Sequence, residues 1–551
     1  MDDEEKYIYT AVTFAPVQGF IEKSRKLRDL YGASQILSYL SRHIIDTAER
    51  EISTIKVISP GSPNIERGIP NRILFKGDFP EDKARESILQ TWKKVLNCCK
   101  EWLTSNLRHL EPYYWDDEWN HWANHTWEIF WAQADSPISV MKELETKKLC
   151  RDWTAINWVG ESSSLSGSDA IAFPGLGGTG RNPKHTNYKE ENKQIKTFYT
   201  DLAKITEEPT SSEIQGKFID PREKLSIPEL TKRLVTYPSI AEELGMSVVE
   251  RFTEIQRQSN FNGKTEYLWT GWFMGDGDNV GEHLKNIAED EGDVGLSRFS
   301  RAMLKWGEDF YEDFNRYPNP NIQGRVIYAG GDDFLGVIYG RQTEKKTSDS
   351  KQTDKKIGLE VYEWLMTLND RWNEHKQKIT LSVGFVWAAG GVPQRDVLQH
   401  CRETQKIAKS SGKDRVTIRV VFNSGQYVQW TCPWNYLYVL KRYRDRDGKT
   451  YPKWECRGRK DNCKPNWNHI YSDLAELKAR HAIDLHKSSQ DRSKYLLGMS
   501  LFDIYFEDER HLQTESATIL YGERNTLVKD IDMIIWINDL INVGWQICTN
   551  I

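Results

Sequence analysis

The segment RVIYAGGDDFLGVIY (residues 325–339) carries two apolar runs on either side of Gly-Gly-Asp-Asp. The runs 325–329 and 334–339 are rich in β-branched and aromatic residues, which favour strands. The glycines and aspartates between the runs favour a turn. The segment therefore predicts a β-hairpin that carries an acidic pair where its two strands meet.

Alternating strand and helix patterns surround this hairpin. A strand at 267–274 and a helix at 282–314 precede it. Apolar spacing then predicts a helix, a strand, a helix and a strand at 359–374, 379–389, 395–410 and 416–422. The order β-α-β-β-α-β-α-β resembles the ferredoxin-like palm layout. The segment 341–356 is almost purely polar and is predicted to be a disordered surface loop.

The N-terminal part of the chain has a similar mixture of elements. Residues 7–14 have strand composition, and residues 19–45 have helical apolar spacing. A second helix is predicted at 81–107 and a core strand at 126–134. These elements predict one α/β domain in residues 1–150.

Length and charge limit the functional classes. With 551 residues the chain is long enough for several domains. Its 75 Lys+Arg and 80 Asp+Glu give a net charge of −5, so the field of the whole chain does not attract nucleic acid and any such contact is local. The acidic start at residues 1–6 and the shortness of every apolar run predict neither a signal peptide nor a membrane span. We expect a cytoplasmic protein with reduced thiols and no membrane partner.

Two acidic turns form the candidate site for chemistry. Asp276 and Asp278 lie in MGDGDN (274–279), and Asp332 follows 56 positions after Asp276 and immediately before Asp333. If their strands are neighbours, both turns lie at one edge of the sheet. Crowded carboxylates repel one another and are tolerated when Mg²⁺ or Mn²⁺ neutralises them. Either turn alone is more often an ordinary hairpin turn, and only the two together indicate a two-metal site for nucleotidyl transfer.

A third segment supplies positive charge. AKSSGKDRV (408–416) ends a predicted helix and begins a strand, which places Lys409 and Lys413 where they would hold triphosphate oxygens. The alternative is an ordinary helix C-terminus, which favours cations and a glycine cap.

These motifs occur in an order found in known proteins. The chain resembles GGDEF-type nucleotide cyclases and their relatives in DGDN (276–279), AGGDD (329–333), LSVGF (381–385) and AKSSGKDRV (408–416). It further resembles the large polymerase/cyclase-like subunit of type III-B CRISPR effector complexes, the Cmr family, in FAPVQGFIEKSRKLRDLYGASQILSYL (14–40), IPNRILF (69–75), WEIFWA (127–132) and FNSGQYVQWTCPW (422–434). The resemblance covers most of the chain.

The resemblance implies fold class α+β, with two ferredoxin-like palm (nucleotide cyclase-like) domains, an intervening insertion and a helical C-terminal domain. The expected regions are a first palm, an insertion equivalent to a degenerate zinc region, a catalytic palm and a mainly helical domain at 1–150, 151–262, 263–424 and 425–551. The first palm is expected to be non-catalytic, because its first strand ends in Ala-Pro-Val-Gln (15–18) and not in an acidic motif.

The resemblance also implies an activity and the residues that carry it. In the family, the second palm binds ATP and divalent metal, Mg²⁺ or Mn²⁺, and target RNA switches on synthesis of an adenylate second messenger, usually cyclic oligoadenylate. Asp276, Asp332 and Asp333 are the expected catalytic and metal-binding residues. The expected nucleotide-binding residues are Gly277, Asp278, Asn279, Gly330, Gly331, Ser382, Lys409 and Lys413. The implied partners are other Cmr-type subunits, guide crRNA and target RNA.

The sequence departs from the family pattern in two further ways. The first palm begins within the first ten residues, so we expect no HD nuclease domain and no DNA-cutting activity. Cys150 is the only cysteine between the palms, so the interdomain zinc site is expected to be lost. Cys432, Cys456 and Cys463, with His469 nearby, match no standard zinc spacing, and zinc is not expected as a cofactor.

Two other functions stay open at the level of sequence. One is a catalytically silent scaffold subunit of the same ribonucleoprotein, and the other is a stand-alone GGDEF-like cyclase, which would leave the first palm and the C-terminal helices unexplained. The basic residues of the first predicted helix would contact guide RNA or a partner subunit, or form a solvated helix face; they are Lys23, Arg25, Lys26 and Arg28.

Overall fold

The computed structural model contains two units of the chain. It describes residues 7–61, 70–151, 160–178, 184, 186–207, 218–248, 258–261, 264–316, 322–340, 357–451, 465–483, 492–506 and 530–550. Unit 1 is made of residues 1–255, 281–308 and 327–331, and unit 2 of residues 256–280, 309–326 and 332–551. The predicted surface loop at 341–356 lies outside the described residues.

Unit 1 contains a four-stranded antiparallel sheet. Its strands are β1 (Tyr9–Ala15), β2 (Lys56–Ser59), β3 (Arg72–Lys76) and β4 (Glu128–Ala134). They are ordered β2-β3-β1-β4, and each neighbouring pair is antiparallel. This is the split β-α-β order of a ferredoxin-like fold, and it confirms the palm topology expected for the N-terminal region.

Helices cover both faces of this sheet. They are α1 (Val17–Glu22), α2 (Leu27–Glu51), α3 (Glu81–Asn106), α4 (Asp116–His125) and α5 (Pro137–Leu149), with a 3-10 turn at Arg108–Leu110. Alternate residues of β1 face different cores: Val12 and Phe14 pack with residues of α2 and α3, whereas Tyr9 and Ala11 pack with residues of α5. Because successive strand residues point to opposite faces, this fully buried strand needs a helical layer on each side.

The insertion shares its hydrophobic core with the first palm. Its helices are α6 (Tyr188–Thr206), α7 (Ile227–Leu234) and α8 (Pro238–Leu244). Their buried residues, such as Phe198, Leu230 and Leu244, belong to the same apolar cluster as the residues of α2 and α3. The described part of the insertion is therefore folded onto the first palm.

A buried group of charges joins this insertion to α2. Arg233 is fully buried and donates to both carboxylate oxygens of Asp29, at 2.8 and 2.9 Å, and also to Glu223. Burial opposes the ionisation of Asp29, but the charge and hydrogen bonds of Arg233 outweigh it and lower the pKa of Asp29. The carboxylate of Asp29 also accepts the backbone N–H groups of Arg25 and Lys26, at 2.8 and 2.9 Å.

The single helix predicted at 19–45 is two helices in the structure. Helix α1 ends at Glu22, and α2 begins at Leu27 because Asp29 accepts the N–H groups that precede it. The basic side chains there contact the insertion: Lys23 pairs with Asp169 at 2.7 Å, and the Arg28 guanidinium lies 4.7 Å from the centre of the Phe218 ring. These intrachain contacts are ones that neither the RNA-contact nor the solvated-face hypothesis anticipated.

The second palm is built on a six-stranded sheet. After a separate hairpin of β5 (Gln258–Phe261) and β6 (Lys264–Tyr267), the strands are β7 (Thr270–Gly277), β8 (Ile322–Gly330), β9 (Asp333–Gly340), β10 (Leu381–Ala388), β11 (Arg415–Val421) and β12 (Tyr427–Pro433). The sheet order is β12-β11-β10-β7-β9-β8. The part β10-β7-β9-β8 repeats the ferredoxin-like order of the first palm, and β8 and β9 are the predicted hairpin strands. The α+β fold with two palm domains is thereby confirmed.

Helices complete the second palm and the C-terminal region. They are α9 (Val280–Arg316, with a break at Gly292), α10 (Ile357–Asn373), α11 (Gln394–Ser410), a 3-10 helix (Trp434–Arg442), α12 (Asn468–Ala479), α13 (Arg492–Tyr505), α14 (Asp530–Trp545) and a π-helical turn (Gln546–Asn550). The Trp536 indole donates to the Thr431 carbonyl at 2.9 Å and attaches α14 to β12. Of the helices in the described ranges, none is long and apolar enough to cross a bilayer.

Helix α11 lies against β10 at a glycine. A Cβ added to Gly384 would lie 2.4 Å from the Cys401 carbonyl oxygen and 2.4 Å from Thr404 Oγ1. Only glycine lets the helix approach the strand this closely. Gly384 therefore fixes the distance between α11 and the sheet.

We predict that Gly384→Ala lowers the free energy of unfolding by about 1–3 kcal/mol, because the added methyl group overpacks the contact between α11 and β10. The measurement is the midpoint of thermal unfolding. Gly281→Ala is the matched control, since its added Cβ meets no atom within 4 Å. Equal midpoints for the two variants would contradict the packing assignment.

A second prediction concerns the buried charges. Arg233→Leu is expected to destabilise the protein by about 3–5 kcal/mol, because it leaves Asp29 and Glu223 buried without their partner. Arg222→Leu is the control, since Arg222 pairs with Asp220 at an exposed position and its loss should change little. Denaturant unfolding compares the two variants, and similar midpoints would refute the role assigned to Arg233.

Candidate functional site

Strand pairing brings the two acidic turns together. Asp276 near the end of β7 is the register partner of Asp333, the first residue of β9. On its other side, Asp276 is the register partner of Ser382 in β10. The backbone N–H of Gly277 donates to the Asp332 carbonyl at 2.7 Å. Asp276, Asp332 and Asp333 therefore lie at one edge of the sheet, as the neighbouring-strand hypothesis required.

The glycines of the two turns allow this close approach. A Cβ at Gly277 would lie 2.8 Å from Val280 Cγ2 and 3.1 Å from Asp332 Cβ. Gly330 ends β8, and Gly331 has a φ of 67°, in the left-handed region that favours glycine. A side chain at Gly277 would separate the aspartates.

Negative charge accumulates at this edge. Asp276 is half-buried, and burial raises its pKa against the opposing effect of the Lys409 ammonium. Loss of hydration, together with repulsion from Asp332 and Asp276, raises the pKa of Asp333. Repulsion from neighbouring carboxylates contributes to both raised pKa values.

Lys409 supplies one cation to the edge. Its ammonium binds the Asp276 carboxylate and lies 3.4 Å from the Gly277 carbonyl oxygen. Lys409 is in the last turn of α11, the helix that Gly384 lets approach β10. Gln405, one turn earlier on the same helix, also hydrogen-bonds the Asp276 carboxylate.

Asp278 and Ser382, which the sequence predicts as nucleotide ligands, are buried and hydrogen-bonded to each other. Asp278 is 1% exposed and Ser382 is fully buried. Ser382 Oγ donates to Asp278 Oδ1 at 2.7 Å. Asp278 Oδ2 accepts from Thr380 Oγ1 at 2.9 Å and from the backbone N–H of Asp414 at 3.0 Å. The interior of the palm thus uses both side chains for its own hydrogen bonds.

Asn279 and Lys413 lie together beside the acidic edge. The Lys413 ammonium binds the Asn279 amide oxygen, and both residues have left-handed backbone conformations, with φ of 66° and 58°. Their side-chain contact joins the end of β7 to the loop after α11. The structure therefore brings both predicted lysines to the segment that carries Asp276.

Sequence reasoning missed several residues that shape this edge. They are Thr380, Gly384, Gln405, Asp414 and Arg415. Some carried a readable signal: Gln405 is four residues before Lys409, on the same face of a helix, and Thr380 is two residues before Ser382. The contact from the Asp414 backbone N–H carried no such signal, because a main-chain donor does not depend on the residue type.

The carboxylates at the edge have the ligand chemistry of a divalent-cation site. Three carboxylates supply the hard oxygen ligands that Mg²⁺ and Mn²⁺ prefer, and an ammonium already stands where positive charge is needed. The described residues contain one trio whose ligand atoms all lie within 4.8 Å of one another, and it is Asp445, Asp447 and His469. The three aspartates at the sheet edge are therefore more widely spaced than that trio.

The residues considered for zinc do not assemble among the described ones. Cys432 is fully buried and its thiol contacts the Pro433 carbonyl, while His469 lies with Asp445 and Asp447. Cys456 and Cys463 lie outside the described residues.

Two family models match the chain. Residues 269–417 match the model described as Cas10/Cmr2, second palm domain. Residues 9–69 match the model described as CRISPR-associated protein Cmr2, N-terminal. These matches confirm the resemblance inferred from the sequence, and they cover the β7–β11 region and the start of the first palm.

The solved structures that the chain matches include three of Csm1. A Csm1–Csm4 cassette in complex with one ATP is 14% identical and covers 99% of this chain and 70% of that chain, with a TM-score of 0.46. Csm1 in T. onnurineus is 13% identical, with coverage of 99% and 70% and a TM-score of 0.45. A Csm1–Csm4 cassette with cA4 is 15% identical, with coverage of 98% and 70% and a TM-score of 0.39. No curated protein sequence matches the chain.

We predict that Lys409→Met increases the affinity of the nucleotide-free protein for Mn²⁺ by about two- to fivefold, because an ammonium no longer competes for Asp276. Electron paramagnetic resonance of free Mn²⁺ measures this affinity. Lys406→Met, which removes an exposed lysine of the same helix, is the control and should leave it unchanged. Equal Mn²⁺ affinities for the two variants would show that Lys409 does not compete for Asp276.

Proposed function

Starting from a chain that carries the second palm of the Cas10/Cmr2 family at residues 269–417, we propose that it is a metal-dependent nucleotidyltransferase acting on ATP. The observation that carries the proposal is the pairing of Asp276 with Asp333, beside Asp332, at one sheet edge next to Lys409. An uncompensated set of carboxylates does not stabilise a hairpin, but it suits bound metal and triphosphate.

The proposed reaction joins two ATP molecules. The 3′-hydroxyl oxygen of one ATP forms a bond to the α-phosphorus of another, the bond to pyrophosphate breaks, and the hydroxyl proton passes to water. Asp276, Asp332 and Asp333 would hold divalent ions, Mg²⁺ or Mn²⁺. When bound, such ions lower the pKa of the attacking hydroxyl and stabilise the leaving pyrophosphate.

The lysines of α11 and its following loop would bind the triphosphate. Metal at Asp276 would release the Lys409 ammonium, which remains within reach of the same edge. Lys413 lies on the neighbouring loop and presents a second ammonium there. Two point charges on flexible stems suit phosphate oxygens whose positions change as pyrophosphate leaves.

The proposed setting is an RNA-guided type III-B CRISPR antiviral complex in the cytoplasm. In it, other Cmr-type subunits, guide crRNA and target RNA would be the partners, and target RNA would switch on the synthesis of cyclic oligoadenylate or a related adenylate messenger. The match of residues 9–69 to the Cmr2 N-terminal model supports this setting.

A catalytically silent scaffold subunit is the second candidate. It is favoured by the ion pair between Lys409 and Asp276, because an ammonium already neutralises part of the acidic edge without metal. A nucleotidyltransferase converts ATP into a product at the acidic edge, and a scaffold subunit does not. A product assay therefore separates the two functions.

We predict that the complex, reconstituted with guide and target RNA, converts ATP and Mg²⁺ or Mn²⁺ into an adenylate product. Replacing both Asp332 and Asp333 with alanine should lower product formation at least about a hundredfold, since two metal-holding carboxylates are lost. Mass spectrometry of each labelled nucleoside triphosphate reaction identifies the product.

The matched control replaces the exposed pair Asp116 and Asp117 of α4 with alanine, and it should retain wild-type product formation. Product in the Asp332/Asp333 variant would refute the site assignment. A wild-type complex that binds target RNA and forms no product from any nucleotide would favour the scaffold function.

A further inference from the structure

We propose that Asp278 is a positioning residue, whose buried carboxylate holds the loop at residues 411–414 and so places Lys413 at the acidic edge. The role is distinct from the nucleotide contact expected of Asp278 from the sequence. It rests on the proposed function, because Lys413 is taken as a triphosphate ligand.

The contacts of Asp278 join three separate segments. The residue follows β7, its Oδ1 accepts from Ser382 of β10 at 2.7 Å, and its Oδ2 accepts from Thr380 at 2.9 Å. The same Oδ2 accepts the backbone N–H of Asp414 at 3.0 Å. The backbone N–H of Asp278 donates in turn to the Thr380 carbonyl at 2.8 Å. One carboxylate therefore connects β7, β10 and the loop after α11.

Both oxygens of the Asp278 carboxylate accept hydrogen bonds. The Asp414 N–H can only donate, whereas the Ser382 and Thr380 hydroxyls donate to the carboxylate here and could also accept. At 1% exposure, water cannot replace a lost acceptor. An amide of the same shape keeps one acceptor oxygen and replaces the other with an N–H group, so it cannot accept from Asp414, Thr380 and Ser382 together as the carboxylate does.

The loop has an unfavourable backbone conformation, which a main-chain bond from the Lys413 N–H to the Ala408 carbonyl of α11 at 3.2 Å and side-chain contacts hold in place. Gly412, Lys413 and Asp414 have φ values of 115°, 66° and 49°, three successive residues in the region that non-glycine residues avoid. The Asp278 bond to the Asp414 N–H lies at the end of this run. A second contact, from Arg415 Nε to the Lys413 carbonyl at 2.8 Å, lies beside it.

The end of β7 therefore positions both the acidic edge and the loop that carries Lys413. Asp276 lies at the acidic edge, and Asp278, two residues later, anchors the loop that carries Lys413. Asn279, the next residue, binds the Lys413 ammonium directly. A change at Asp278 should therefore alter triphosphate binding without touching the nucleotide.

The experiment measures Asp278→Asn in the complete complex with guide and target RNA. We expect the KM for ATP to rise about tenfold or more, with a smaller change in kcat, because the loop no longer holds Lys413 in place. The affinity for a non-hydrolysable ATP analogue, measured by calorimetry, should fall by a similar factor. Asp396→Asn, an exposed aspartate of α11, is the control and should behave as wild type.

A second variant covers the case in which Asp278→Asn does not fold. Ser382→Ala removes one donor and leaves the Asp414 contact, and it should raise the KM for ATP about twofold to fivefold. A purely structural role would lower the thermal midpoint of either variant while leaving the KM and analogue affinity of the folded protein unchanged. That result would overturn the proposal.

The two proposals fail in different ways. If the wild-type complex binds the analogue but forms no product, the proposed function fails, and the analogue affinity of Asp278→Asn still tests the positioning role. If the wild type forms product and Asp278→Asn has wild-type KM and affinity, only the positioning role fails.

Discussion

Repulsion between carboxylates at the end of two paired strands is the constraint on which the second palm depends. The register that opposes Asp276 and Asp333 places like charges together, with Asp332 beside them. Such an edge is stable only if cations share it. Lys409 supplies one cation, and its position requires α11 to lie against β10, which the absence of a side chain at Gly384 permits.

The two palms show that the fold does not by itself create this constraint. Both sheets have the ferredoxin-like strand order. At the end of β1, however, Thr13 is the register partner of Arg72, and Asn71 donates to Thr13 Oγ1 at 3.1 Å and to the Phe14 carbonyl at 2.9 Å, so among the described residues no pair of aspartates meets there. The same topology therefore carries a pair of aspartates in one palm and a Thr–Arg pair in the other.

Buried polar groups connect different elements in the two units. In unit 1, Arg233, Asp29 and Glu223 attach the insertion to the first palm, and the basic cluster read as an RNA-binding candidate takes part in this attachment. In unit 2, Asp278 connects two strands and a loop of unfavourable backbone conformation. In both places a charged side chain is retained in the interior because every neighbouring donor or charge is matched to it.

From β7 to β11 the sequence by itself determined the order of strands and helices, because strand and helix periodicity is local and the hairpin at 325–339 has turn residues between two apolar runs. It also predicted which aspartates would meet if their strands are neighbours, since those residues end predicted elements. It did not predict β2, β3 or β12. Only the tertiary structure decided that Asp278 and Ser382 face inward and that α1 and α2 are separate helices. Those outcomes depend on partners distant in the chain, Asp414 for Asp278 and Arg233 for Asp29. Pairing between distant residues leaves no periodic signal in the sequence, and a main-chain donor leaves none at all.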